Sequence, residues 1–363
     1  MTSGSDKYFV CGANSVSSVI EELKTTCTLS DSQLLNILST DKYDQELFSA
    51  ADEVRRSVYG DRVFIRGLIE ITNYCRNDCY YCGIRRSNEQ AERYRLSADE
   101  IFSCCQEGYA LGYALGFRTF VLQGGEDAQC TDEFICGVTA RLHDAFPDCA
   151  ITLSLGERPE SSYRAMYSSG ARRYLLRHET ADFAHYAKLH PSSMSLENRM
   201  KCLSALKKIG FQTGDGFMTG APFQTAHHIV KDIRFMQALS PDMIGIGPFI
   251  HHRTTPFAHC PDGTLSLTLR LIAILRLMFP KALIPSTTAL ATLCPEGRIL
   301  GLKAGANVVM PNLSPLAVRK KYELYENKAH GGMESAQELD ALKKAVKEAG
   351  YKIVVDKGDR AGF

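Results

Sequence analysis

Two periodicities divide the chain. Between residues 15 and 60, apolar positions recur at helical spacing, with Leu34, Leu35 and Leu38 in one group and Leu47, Phe48, Ala51 and Val54 in the next. That spacing gives amphipathic helices, and no strand-like run interrupts it. From residue 63 the pattern changes to short apolar runs rich in branched residues, separated by amphipathic stretches. This is the alternation of βα units. Eight such runs are present, at 63–71, 118–125, 150–156, 172–179, 211–220, 242–250, 282–290 and 306–312. Eight strands with eight crossovers predict an α/β fold, a complete (β/α)8 TIM-type barrel beneath an N-terminal helical cap. The expected organisation is a helical cap over 1–62, the barrel over 63–325 and a C-terminal helical extension over 326–363.

Glycines at 116, 170, 210, 305 and 350 fall where helices should end before the next strand. A tandem YALG, at 109–112 and 113–116, lies inside the helix expected after the first strand and reads as a local duplication. The chain's 363 residues suit one large barrel. Its 42 basic residues balance 41 acidic ones, so no net field draws it to nucleic acid or to an anionic membrane. The first residues lack a basic start followed by an apolar stretch, and no apolar run approaches the ~18 residues of a membrane span. A soluble cytoplasmic protein is expected. Most of the 13 cysteines are scattered through helix-like and strand-like segments, as reduced, buried thiols are, so a disulfide framework is not expected.

Three cysteines form a group. Cys75, Cys79 and Cys82 have C-x3-C-x2-C spacing and begin where the first strand stops, which in a barrel is the catalytic end. Three thiolates can hold three irons of a 4Fe-4S cubane, and no fourth cysteine in the loop closes the last iron. An open iron can chelate the amino and carboxylate groups of S-adenosylmethionine and place its sulfonium beside a one-electron donor. A structural zinc would need four closed ligands, and the next cysteines, Cys104 and Cys105, lie in a helical pattern.

Alternate residues on a strand share a face, which selects further candidates. Thr152 with Ser154, and Arg177 with Glu179, are polar pairs inside apolar runs and need partners. For the first pair a hydrogen-bonded core layer is a real alternative; for the charged pair it is weaker, because buried charge is rarer. Gln123 precedes Gly124 and Gly125, where paired glycines let the backbone approach a ligand. The glycines around Asp215 do not complete a dinucleotide loop, since residue 219 is threonine. Thr287, Thr288, Tyr322 and Tyr325 could be simple packing. His251, His252, His259 and Cys260 lack ligand-like spacing, and His227 and His228 read as solvated at a helix start.

The blocks EITNYCRNDCYYCGIRR, RYRLS, TFVLQGGED, TLSLGE, RYLLRHET, SLENR, MIGIGPFI, PSTTAL and GANVVMPNLSP resemble the HydE family of radical SAM maturases of FeFe hydrogenases, from about residue 30 to 325. The cysteine motif alone would indicate only the radical SAM superfamily. The resemblance implies one 4Fe-4S cluster on Cys75, Cys79 and Cys82. It also implies S-adenosylmethionine contacts from Tyr81, Gln123, Thr152, Ser154, Glu179 and Arg199, with Met310 near the nucleoside. Substrate contacts would come from Arg66, Arg177, Thr287, Thr288, Tyr322 and Tyr325. The substrate implied is an iron–cysteine dicarbonyl cyanide complex, with HydG and HydF as partner maturases and a reducing electron donor. Some members of the family carry a C-terminal cysteine group for an accessory cluster; residues 326–340 hold none. Asp215 stands where the family usually has a small or uncharged residue, and residues 221–223 alter the following turn. Methylornithine synthase and, more distantly, biotin synthase share the layout. A non-catalytic iron–sulfur scaffold would need the cysteines but not Thr152, Glu179 or Arg199.

Overall fold

The computed structural model describes residues 16–110, 116–331 and 334–363. Three helices, Val16–Thr26, Asp31–Leu38 and Asp44–Tyr59, form the N-terminal layer. The second begins on a capping box in which the Ser30 side chain accepts from the Gln33 amide and Gln33 returns a bond to the Ser30 backbone. Leu34, Leu38, Leu47 and Ala51 are buried from this layer, so the helical periodicity identified its inner face. These helices pack on the helix Leu265–Met278, which is apolar nearly all round and buried from Thr268 onward.

Among the described residues eleven strands follow in chain order: β1 (Arg62–Ile65), β2 (Gly67–Thr72), β3 (Thr119–Gly124), β4 (Ala150–Ser154), β5 (Arg173–Leu175), β6 (Gln212–Asp215), β7 (Met218–Thr219), β8 (Met243–Ile244), β9 (Gly247–Pro248), β10 (Val308–Val309) and β11 (Lys352–Val354). A six-stranded parallel sheet runs β2-β3-β4-β5-β6-β8, with helices in the crossovers. A second parallel sheet runs β10-β1-β11, and β7 pairs with β9. Parallel bridges join Met243 to Leu283, Pro285 to Val308, and Asn312 to Leu68 on β2.

Three expected runs are each split in two. The first breaks at Arg66 into β1 and β2, the fifth into β6 and β7, and the sixth into β8 and β9. The run at 282–290 makes only single bridges before the helix Thr288–Leu293 begins, so Thr287 is that helix's N-cap rather than a strand residue. The C-terminal extension is not helical alone. Beyond the helix Leu339–Glu348 it contributes β11, which pairs with β1. Gly210 ends the helix Leu196–Ile209 at φ 105°, a conformation only glycine adopts cheaply. Most of the YALG repeat lies outside the described residues.

Candidate active site

The cysteine loop leaves the C-terminal end of β2 and is fastened by its own polar groups. Arg93 donates to the carbonyls of Asn73, Ile84, Arg85 and Asn88, drawing the two ends of the loop onto one guanidinium. Asp78 pairs with Arg85 at 2.7 Å. The turn after β3 presses on the loop. A Cβ added to Gly125 would lie 2.2 Å from the Tyr74 carbonyl oxygen and 2.8 Å from Cys75 Cβ. The next residue, Glu126, accepts from Arg76 at both its backbone and its carboxylate.

Cys75, Cys79 and Cys82 are free, half-buried thiols. Burial raises the pKa of all three, and burial together with Cys75 pushes Cys82 up to about 12. Iron would displace these protons on binding. Among the described residues no three His, Cys, Asp or Glu side chains converge tightly enough for a single metal ion. A cubane gives each thiolate its own iron, so a spread triplet suits a cluster and not a structural zinc. Two further atoms call for a ligand: Glu179 Oε2 and Thr287 Oγ1 are buried without a hydrogen-bond partner, and both residues line the cavity beside Cys82. The residues present therefore fit a three-thiolate cluster with a polar ligand beside it.

That cavity has a volume of ≈ 330 Å³ and opens among the strand ends. Of the expected residues, Cys82, Tyr81, Gln123, Ser154, Arg177, Glu179, Arg199, Thr287, Thr288, Met310, Tyr322 and Tyr325 line it. Cys75 and Cys79 are elsewhere in the adjoining loop. Thr152 lies deeper on β4, buried, with its hydroxyl unpartnered. Arg66 is not on the cavity wall; it lies buried by Arg173, donating to Met243 Sδ at 3.1 Å with two of its nitrogens unpaired. Asp215, the last residue of β6, also does not line the cavity and bonds His178 instead.

The wall carries ion pairs. Arg177 Nε donates to Glu179 Oε1 at 2.9 Å. Arg199 Nε donates to Glu157 Oε1 at 2.5 Å, and its Nη1 to the Arg177 carbonyl at 3.0 Å. Burial opposes the charge on Arg199, but Glu157 outweighs it and holds the guanidinium protonated. Glu179 adopts φ 67°, a left-handed conformation that a non-glycine residue keeps only when its surroundings enforce it. Tyr81 meets His190 Nε2 at 3.0 Å. Burial and Arg199 pull the imidazole down to about 3, and its Nδ1 lies 3.1 Å from the Tyr186 carbonyl, so the neutral ring donates there and accepts from Tyr81.

Sequence reasoning missed Glu70 and Lys328, which also line the cavity and form a buried ion pair. Glu70 gave a signal, a carboxylate amid the apolar GLIEIT of β2, and Asn312 Nδ2 donates to it at 2.9 Å. Lys328 gave none, because it comes from the irregular segment after Tyr325. His228, expected to be solvated, is half-buried, caps the helix Ala226–Leu239 and stacks on His185 at 4.6 Å.

The family model of the radical SAM superfamily matches residues 69–236, spanning β2 to the helix after β7. The fold and its three-cysteine loop define a radical SAM enzyme, with a 4Fe-4S cluster and S-adenosylmethionine as cofactors. Over 286 residues the chain is 44% identical to the FeFe hydrogenase maturase subunit HydE of Thermotoga maritima, covering 79% of this chain and 80% of that protein. The chain belongs to the HydE family. It is also 32% identical to 3-methylornithine synthase of Methanosarcina acetivorans, over 77% of this chain and 79% of that one. The crystal structure of methylornithine synthase superposes with a TM-score of 0.80 at 26% identity, covering 93% of this chain and 97% of that one. That of HydG, a maturase of FeFe hydrogenase, gives 0.78 at 18% identity, over 93% and 75%, which shows a shared fold. Among the described residues no helix is long and apolar enough to cross a membrane.

Proposed function

We propose that this enzyme matures FeFe hydrogenase, acting on an iron–cysteine dicarbonyl cyanide complex supplied by a HydG-type partner, with HydF further along the assembly. When bound, a reduced cluster would supply one electron and S-adenosylmethionine, losing methionine, a 5'-deoxyadenosyl group for radical chemistry at the cysteine sulfur of that complex. Cys75, Cys79 and Cys82 hold the cluster. Tyr81, Gln123, Thr152, Ser154, Glu179 and Arg199 bind S-adenosylmethionine, with Met310 at its nucleoside. Arg177, Thr287, Thr288, Tyr322 and Tyr325 receive substrate carboxylate, and the enclosed wall excludes water. Arg66 acts from beneath the cavity. The eight runs close into a complete barrel, supported by the bridges from β8 through Leu283, Pro285 and Val308 to Asn312 and back to β2. One observation carries the reading: residues from all eight runs and from the segment beyond them meet on one cavity beside Cys82.

The test is hydrogen evolution from apo FeFe hydrogenase matured in a defined anaerobic mixture in which this protein alone supplies the HydE step. Activation that is lost in Cys82→Ser supports the proposal. No activation, with 5'-deoxyadenosine still formed, refutes the substrate and leaves the radical chemistry. The methylornithine synthase relative gives a second reading its basis, and formation of methylornithine from lysine would replace the maturase reading with that one.

A further inference from the structure

Behind the segment after β5 that carries Arg177 and Glu179, three charged side chains are sealed from solvent. His178, Asp215 and Asp232 are all 0% exposed, and none lines the cavity. The imidazole joins the two carboxylates: Nδ1 lies 2.8 Å from Asp215 Oδ1, and Nε2 lies 3.4 Å from Asp232 Oδ1. Phe235 packs edge-on to the ring at 5.0 Å and Phe217 lies at 5.8 Å, so water does not replace these contacts.

The same carboxylates bind the backbone around Glu179. Asp215 Oδ1 accepts from the His178 amide at 3.0 Å, one residue before the left-handed turn. Glu179's own amide donates to the Gly216 carbonyl at 3.2 Å, next to Asp215. Asp232 Oδ1 accepts from the Ala181 amide at 2.5 Å, two residues after the turn. Three amides within four residues are thus held from β6, its following loop and the helix Ala226–Leu239, and the imidazole ties two of those anchors together. A left-handed glutamate would otherwise relax to ordinary backbone angles and swing its carboxylate. On the cavity side that carboxylate spends one oxygen on Arg177 and leaves the other, buried, for a ligand.

We propose that His178, Asp215 and Asp232 form a positioning triad that locks Glu179 in its left-handed conformation and so sets the affinity for S-adenosylmethionine. This rests on the reading of Glu179 as a contact of S-adenosylmethionine. None of the three lines the cavity, so the triad acts through the backbone of 178–181.

The experiment is calorimetric titration of S-adenosylmethionine into the anaerobically reconstituted full-length protein, with iron content measured on every sample. Asp215→Asn and Asp232→Asn keep side-chain size but remove a charge, and each should weaken binding by roughly tenfold, as loss of a supporting residue typically does. Iron content should stay at the wild-type level, because the cysteine loop is fastened by Arg93 and not by the triad. The two variants approach the turn from different elements, so either one that folds decides the matter. Wild-type affinity in a folded, cluster-loaded variant overturns the proposal, as does weakened binding that appears only with loss of iron. Glu179→Gln is the control: if it binds as tightly as wild type, the ligand reading beneath the proposal fails and the triad's function with it.

Discussion

Replacing Lys328 by methionine breaks the least anticipated feature of the cavity. The Lys328 and Glu70 side chains are 6% and 1% exposed, so neither charge can turn to water when its partner is lost. Lys328 Nζ also donates to the Tyr322 carbonyl at 3.0 Å and lies 4.8 Å from the centre of the Tyr322 ring. Its removal leaves Glu70 with only the amide of Asn312. Breaking a buried pair from one side typically costs about 3–5 kcal/mol. At ~2.1 cal/mol/K per residue, unfolding 363 residues carries an entropy near 0.8 kcal/mol/K, so the melting temperature should fall by about 4–7 °C.

The double variant Glu70→Gln with Lys328→Met separates charge from packing. Gln still accepts from Asn312, no buried charge is stranded, and at least half of the lost melting temperature should return. Scanning calorimetry of the four proteins at one scan rate, with matched iron content, makes the comparison. A double variant destabilised by the sum of the single losses would refute the reasoning, because it would show that Lys328 acts by packing and not by neutralising Glu70.

Two further predictions concern the loop and the triad. Gly125→Ala should lower the iron retained after reconstitution by more than half, because the new methyl drives against backbone at Tyr74 and against Cys75 Cβ; full iron content measured by chelator assay would contradict this. Burial lowers the pKa of His178, but Asp215 and Asp232 outweigh it and hold it up at about 10, against 6.5 for an ordinary histidine. A raised pKa stabilises fully below about pH 6.5, and that contribution, up to about 5 kcal/mol, is lost as pH rises through 10. Wild type should therefore lose melting temperature between pH 7 and 10 more steeply than His178→Gln, and parallel slopes would refute the assignment.

What could be read from sequence follows the range over which each signal acts. The helical layer was legible because Leu34, Leu38, Leu47 and Ala51 repeat within a few turns and bury that face. The cysteine loop was legible because its three thiols lie within eight residues. Alternation across the fourth run singled out Arg177 and Glu179, and both line the cavity, although β5 ends at Leu175 and leaves them in the irregular segment beyond it. It failed in the next run. The single run at 211–220 gave no sign that Asp215 would turn to His178, since the chain changes direction at Gly216. Lys328 was invisible for a different reason: its partner is 258 positions away, and nothing local marks a lysine in an irregular segment as buried. The lone Glu70 in an apolar strand did signal that some cation must exist, though not which one.

The pairing of charges around the cavity limits what can enter it. Arg177 is paired with Glu179, Arg199 with Glu157, and Lys328 with Glu70, so each cation on the wall already has its anion. A ligand that offers the wall only one charged group would have to pull one pair apart and strand the other member in a poorly solvated space, at the cost expected for any broken buried pair. A ligand bearing both an ammonium and a carboxylate can exchange into such a wall, giving its ammonium to Glu179 Oε2 and its carboxylate to a neighbouring guanidinium, with no charge left over. An amino-acid head group has that form, and it is common to S-adenosylmethionine, to a metal-bound cysteine retaining its carboxylate, and to lysine. Paired charges on the wall thus match a zwitterionic head group, and the neutral part of the cavity around Thr287, Met310, Tyr322 and Tyr325 is left to meet the rest of such a ligand.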